Sequence, residues 1–162
     1  EKRIKRVIAL SIAYDYMEIP PKFVADFARW LMKKPKLMNR MSDWKMRAMP
    51  QENWGVTNLM HIADKDNPYD ASLVMLEFNK ENIKSELVDQ DVLILSGAED
   101  HFIPLKLHHL QVAALTNANS VTERIFGRDE QAQNHCQVGN LGLALSTMSE
   151  WLAEVEKEPA AV

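Results

Sequence analysis

The chain has 162 residues, 46% apolar and 26% charged, enough for one domain with a buried core and ordinary for a globular protein. A formal charge of −4 argues against nucleic acid as a partner, because affinity for the phosphate backbone comes from clustered Lys and Arg. A single cysteine, Cys136, excludes an intramolecular disulfide and every cysteine-cluster zinc site. No apolar run reaches the roughly 18 to 20 residues of a membrane-spanning helix, so a cytoplasmic protein without a transmembrane segment is expected.

The chain opens "EKRIKRVIALSIA", with no methionine and almost no lead-in, and reads as though cut from something longer. Residues 6 to 13, "RVIALSIA", are apolar and β-branched almost throughout and predict a strand buried on both faces, as in a parallel sheet. Residues 20 to 88 read as a helical insertion. "PPKFVADFARWLMKK" places Phe23, Phe27, Trp30 and Leu31 on one helix face; "SDWKMRAM" and "DASLVMLEFNKENI" follow, with Ser42 and Asp70 as expected N-caps. Breaks are expected at Pro50, at Asn53 to Gly55 and at Asp66 to Pro68.

"VLILS", residues 92 to 96, predicts a second buried strand, "PLKLHHLQVAAL" a helix from Pro104, and "SVTERIF", residues 120 to 126, a third strand nearer a sheet edge. "LGLALSTMSEWLAEV" predicts a last helix with Leu141, Ala144, Leu145, Met148 and Trp151 on its buried face, before an acidic, Ala-rich tail. The order is that of a parallel α/β domain.

Ligands of parallel sheets gather at the carboxyl ends of the strands. Glu99, Asp100 and His101 follow the second strand, and His135 lies in the loop after the third. An acid and a histidine from successive strand ends suit nucleophilic acyl transfer, in which a buried carboxylate accepts the imidazole N–H and the ring deprotonates a serine. Asp100 can instead cap the following helix, and His135 can instead be an ordinary loop histidine.

"VLILSGAEDHFIP", followed by "NHCQVGN" and a terminal amphipathic helix, resembles the C-terminal half of the α/β-hydrolase fold. In that family the seventh strand leads into Gly-x-x-Asp-x-x-(Ile/Val)-Pro, matched by Gly97, Asp100, Ile103 and Pro104, and the catalytic histidine follows the eighth strand, where His135 stands. The resemblance implies three parallel strands, the sixth to eighth of the family, with flanking helices. It divides the chain into core segments 1–19 and 89–155, a helical lid at 20–88 covering the strand ends, and a flexible tail at 156–162. The family's nucleophile elbow, Gly-x-Ser-x-Gly, is absent: none of the glycines at 55, 97, 127, 139 and 142 brackets a serine in that way. The chain therefore reads as the acid and the base of a triad whose serine lies upstream.

The implied function is the C-terminal portion of a hydrolase for a carboxylic ester, amide or related bond, with a small-molecule acyl substrate and no metal or organic cofactor. Asp15, at the end of the first strand, is the competing acid, since some family members carry theirs there; Glu99 reads as a solvated neighbour and Cys136 as a poor nucleophile. His108 and His109, adjacent on a helix, are expected to point to different faces, which argues against a histidine metal cluster. Seven of the nine methionines lie in the insertion together with Trp30, Trp44 and Trp54, so Trp30, Met32 and Phe102 are candidate pocket residues. Residues 22 to 49 hold eight Lys or Arg against two Asp, which reads as a solvated face or an anion-attracting one. The alternative is a truncated, non-catalytic α/β module acting in binding or oligomerisation. In either case an exposed edge at residues 6 to 13 is expected to self-associate or to bind the missing N-terminal half.

Overall fold

The computed structural model describes residues 3–157. It contains two compact units: one combines the residues up to Tyr14 with those from Ile83 onward, and the other is Asp15–Asn82. The remainder of the expected tail lies outside the described residues.

The first unit is built on a three-stranded parallel sheet of β1 (Arg6–Leu10), β2 (Asp91–Gly97) and β3 (Ser120–Phe126), in the order β1-β2-β3. Val7 is level with Val92, and Val92 with Val121. Side chains of β2 alternate between the faces. Leu93 and Leu95 pack with Phe126, Ala132, Ala144 and Trp151, beneath α7 (Leu141–Val155). Val92 and Ile94 pack with Leu115, just past α6 (Leu105–Ala114), and with Val112 within it. A central strand covered on both sides explains the unbroken run "VLIL".

β1 differs from expectation in length and in place. It stops at Leu10 because Ser11 adopts φ 48°, a left-handed conformation that an extended ladder cannot accommodate. It forms one edge of the described sheet, and all five of its residues are half-buried rather than enclosed. In α7 the buried stripe runs through Ala144, Met148, Trp151, Leu152 and Val155, whereas Leu141 and Leu145 are exposed, against expectation. Trp151 fixes the helix rotation: its ring is in the core and its Nε1–H donates to Thr122 Oγ1 at 3.1 Å.

The second unit is helical: α1 (Lys22–Met32), α2 (Pro35–Ala48), α3 (Pro50–Ala63), α4 (Pro68–Leu76) and the start of the short α5 (Lys80–Ile83), with α2, α3 and α4 packed on one another. α2, α3 and α4 each begin with proline, preceded by Lys34, Met49 and Asn67 at φ between −134° and −147°. Proline disfavours helical backbone in the residue before it and lacks an N–H that the first turn would leave unpaired, so each joint is written in the sequence. The expected caps are corrected accordingly: Ser42 lies inside α2, and Asn67, not Asp70, caps α4 by accepting the Asp70 N–H at 3.0 Å. Asn39 of α2 accepts the Tyr69 N–H at 2.8 Å and ties that start to the bundle.

Asn53 to Gly55, expected to break the helix, lies within α3. Among the described residues, no helix is long and apolar enough to cross a membrane. Gly55 costs helix stability through backbone entropy, and a Cβ there would meet nothing within 4 Å. Gly55→Ala should therefore stabilise the helical unit by about 0.5–1 kcal/mol, read by urea denaturation. A destabilised variant would mean that α3 is not a regular helix at this point.

Candidate functional site

β2 ends at Gly97, where the chain leading to His135 lies directly against the strand. A Cβ at Gly97 would collide with the carbonyl oxygens of Gln133 and Asn134, so only glycine allows this approach. Two backbone bonds hold the arrangement: Glu99 N–H donates to Gln133 O at 2.9 Å and Ala98 N–H to Phe126 O at 3.0 Å. The loops after β2 and β3 are thereby fastened together at the carboxyl end of the sheet.

Asp100 and His135 meet across that junction. His135 Nδ1 is 2.8 Å from Asp100 Oδ2, with the carboxylate almost fully enclosed and the imidazole about one-third exposed. The other oxygen, Oδ1, accepts the N–H groups of Phe102 and Ile103, each at 2.9 Å. Capping the turn into α6 and holding a histidine are thus not competing roles, because each oxygen of the carboxylate performs one. Burial pushes the Asp100 carboxyl up, but the Ile103 N–H, the His135 ring, the Phe102 N–H and the Ser11 hydroxyl together outweigh it and hold the group below the ordinary carboxylate range.

Ser11 is the residue that the sequence reading missed. It is buried, its backbone N–H donates to Leu95 O at 2.9 Å, and its Oγ accepts the N–H of Cys136 at 3.2 Å while supporting the Asp100 anion. One hydroxyl at the end of β1 therefore touches both sides of the pair. Its signal in the sequence is only positional, a small polar residue interrupting an apolar strand. Cys136 and Gln137 both have φ 51°, so the chain turns sharply just after His135, and Gln137 is fully buried.

The other candidates are placed differently. Glu99 is paired with Arg128, whose guanidinium lowers the Glu99 carboxyl. Asp15 caps the turn Tyr16–Glu18 by accepting the Met17 N–H at 2.8 Å. The Phe102 ring is half-exposed and stands edge-on to His135, with centroids 5.0 Å apart. His101 lies against Phe102 at 4.1 Å. Trp30 and Met32 belong to α1 of the helical unit, where Trp30 stacks on Phe27 at 5.7 Å and Lys34 Nζ sits 4.6 Å above its ring. Cys136 is a half-buried free thiol.

A buried carboxylate fixing one imidazole nitrogen leaves Nε2 to exchange protons with a reacting group. No family model matches this chain, and neither a curated protein nor a solved structure was found to be similar to it.

Because the Asp100 carboxyl is held low, the folded state binds fewer protons there than the unfolded chain does. The resulting stabilisation is present above the unfolded value of about 3.9 and is lost as pH falls through the lower folded value. Denaturation midpoints between pH 2.5 and 7 should show a shallower acid loss for Asp100→Asn than for the parent chain. Parallel acid limbs would show that Asp100 is not held as described.

Proposed function

We propose that this chain supplies the acid and the base of a serine-type hydrolase of the α/β-hydrolase fold, acting on an ester, amide or related acyl bond. The observation that carries the reading is the 2.8 Å contact between an enclosed Asp100 carboxylate and His135 Nδ1 at the carboxyl end of a parallel sheet. In this reading β1, β2 and β3 correspond to the sixth, seventh and eighth strands of the family, and the helical unit to the lid inserted after the sixth.

Asp100 keeps the proton on Nδ1 and supports the imidazolium when it forms. His135 Nε2 takes the proton from a serine hydroxyl outside these 162 residues as the serine oxygen bonds to the acyl carbon. The collapsing tetrahedral intermediate expels the leaving group, which takes that proton from Nε2. Water, deprotonated by the same nitrogen, then releases the acid and restores the serine. Phe102, edge-on to the imidazole, supplies an apolar rim for the substrate.

The reading frame ahead of Glu1 should encode Gly-x-Ser-x-Gly, and the protein carrying both parts should label with a fluorophosphonate probe. Asp100→Asn should lower its turnover about 10⁴-fold, the magnitude seen when a triad acid no longer fixes the tautomer. A frame without that elbow, or labelling indifferent to His135→Ala, would overturn the proposal. The 162 residues alone should not turn over p-nitrophenyl esters. Turnover that survives Cys136→Ala but vanishes in His135→Ala would place a nucleophile within them.

One observation favours a second, non-catalytic reading, in which β1 recruits another strand. Among the described residues β1 pairs only with β2. Beside it Val7, Ala9 and Ile12 line, with Val92, Ile94 and Leu115, an apolar groove of about 140 Å³. An unpaired apolar edge is a template for strand addition. The isolated chain should sediment as a dimer or larger species at micromolar concentration, and Ile8→Pro should return it to monomer; a monomeric parent chain would remove this reading.

A further inference from the structure

Away from the Asp100–His135 pair, a second group of chemically able side chains lies between α6 and the sheet. The strand residues under α6 are mainly apolar, Val92 and Ile94 of β2 and Val121 of β3, beside a buried Gln111–Ser85 pair. Two polar side chains interrupt them in the same strands, Ser96 and Glu123. His108 of α6 bridges them: Nδ1 is 2.9 Å from Ser96 Oγ and Nε2 is 2.9 Å from Glu123 Oε2. His108 and Ser96 are buried, whereas Glu123 and the neighbouring His109 are exposed. The expectation that His108 and His109, pointing to different faces, do not form a histidine metal cluster takes no account of the strand opposite. One ligand atom from each of His108, His109 and Glu123 lies within 4.8 Å of the others, and the two imidazoles stand edge to face with centroids 5.3 Å apart.

We propose that His108, His109 and Glu123 bind a divalent transition cation of the zinc type, with a fourth position left to water. Two imidazole nitrogens and a carboxylate oxygen form the donor set that suits zinc, and three protein ligands leave one tetrahedral corner open. Bonds of about 2.0–2.2 Å place such ligand atoms roughly 3.3–3.5 Å apart. The closure required falls on His109 and Glu123, whose exposed side chains are free to move, while His108 stays fixed by burial. Ser96 is the outer partner that aims His108, the role commonly filled by a hydroxyl, carbonyl or carboxylate behind a metal-bound histidine.

A carboxylate only accepts, so without metal Nε2 carries the proton given to Glu123 and Nδ1 accepts from the Ser96 hydroxyl. The cation takes the Nε2 lone pair, so that nitrogen loses its proton, Nδ1 gains one and donates it to Ser96 Oγ. The imidazole stays neutral and changes tautomer, with no net proton released from it.

The test is titration of the whole chain with Zn(II) by calorimetry, with Co(II) visible absorption reporting geometry. One equivalent should bind, with the intense bands of tetrahedral Co(II), and nitrogen-correlated NMR should show His108 exchanging its Nε2 proton for one on Nδ1. His109→Ala and Glu123→Gln, both surface changes that spare the fold, should each weaken binding at least tenfold, and Ser96→Ala about 10–100-fold. The double variant His101→Ala/His135→Ala should bind as the parent does, which separates this site from the Asp100–His135 pair and makes the result independent of any hydrolytic activity. Absence of binding at millimolar zinc, affinity unchanged in either surface variant, or loss of binding in the double variant would each overturn the proposal.

Discussion

The approach of the Gln133–Asn134 backbone to Gly97 is the contact on which the candidate site depends. The two loops that carry Asp100 and His135 come from different strands, and nothing local to either loop sets the distance between them. Their separation is set where the absence of a side chain at residue 97 lets one backbone rest on the other, within hydrogen-bonding distance of Glu99 N. Any larger residue at that point would bring its Cβ to 2.3 Å from Gln133 O, so the loops would have to part by about 1 Å, more than a 2.8 Å contact between Asp100 and His135 tolerates. β2, whose residues from Val92 onward are buried, supplies the rigid end from which this geometry is measured.

Four acids of this chain show how the same chemical group acquires different work. Asp15 spends its carboxylate on a backbone N–H, Glu99 on an exposed guanidinium, Glu123 on a buried imidazole, and Asp100 divides its two oxygens between backbone and His135. Of the four, Asp100 combines an almost fully enclosed carboxylate with the Ile103 and Phe102 N–H groups, the His135 ring and the Ser11 hydroxyl, which together hold its carboxyl low. Enclosure alone would have pushed the carboxyl up, and donors alone, in water, would have been worth less. The combination comes from a turn that folds its own N–H groups back onto one oxygen and from Ser11, which belongs to another strand.

Two polar groupings of the sheet unit bear on chemistry. At the carboxyl end, Ser11 links β1 to the Asp100–His135 junction. Between α6 and the sheet, Ser96 and Glu123 hold His108 in a mainly apolar layer. A buried imidazole with both nitrogens paired is tolerated there because no polar atom of the ring is left without a partner. The same pairing gives the ring the fixed orientation that a metal ligand requires, which the proposed cation site uses.

Some of this is readable without coordinates, for definite reasons. The run Val92 to Leu95 reads as a strand covered on both faces, Pro50 and Pro68 mark breaks between helices, and Asp100 and His135 stand behind successive strands, at one end of any parallel sheet. These features rest on periodicity, proline sterics and strand direction, all properties of neighbours in sequence. Tertiary structure alone decided the rest. The end of β1 at Ser11, the rotation of α7 that exposes Leu141 and Leu145, and the cap taken by Asn67 rather than Asp70 each follow from a partner far along the chain or from a choice among equally suitable residues. So does the meeting of His108 and His109 with Glu123, because a helix–strand contact joins residues whose separation carries no periodic mark. Local backbone preferences are short-ranged and can be read from short stretches. Which polar group meets which is settled by packing, where distances of a few tenths of an ångström between residues a hundred positions apart determine whether a hydrogen bond exists.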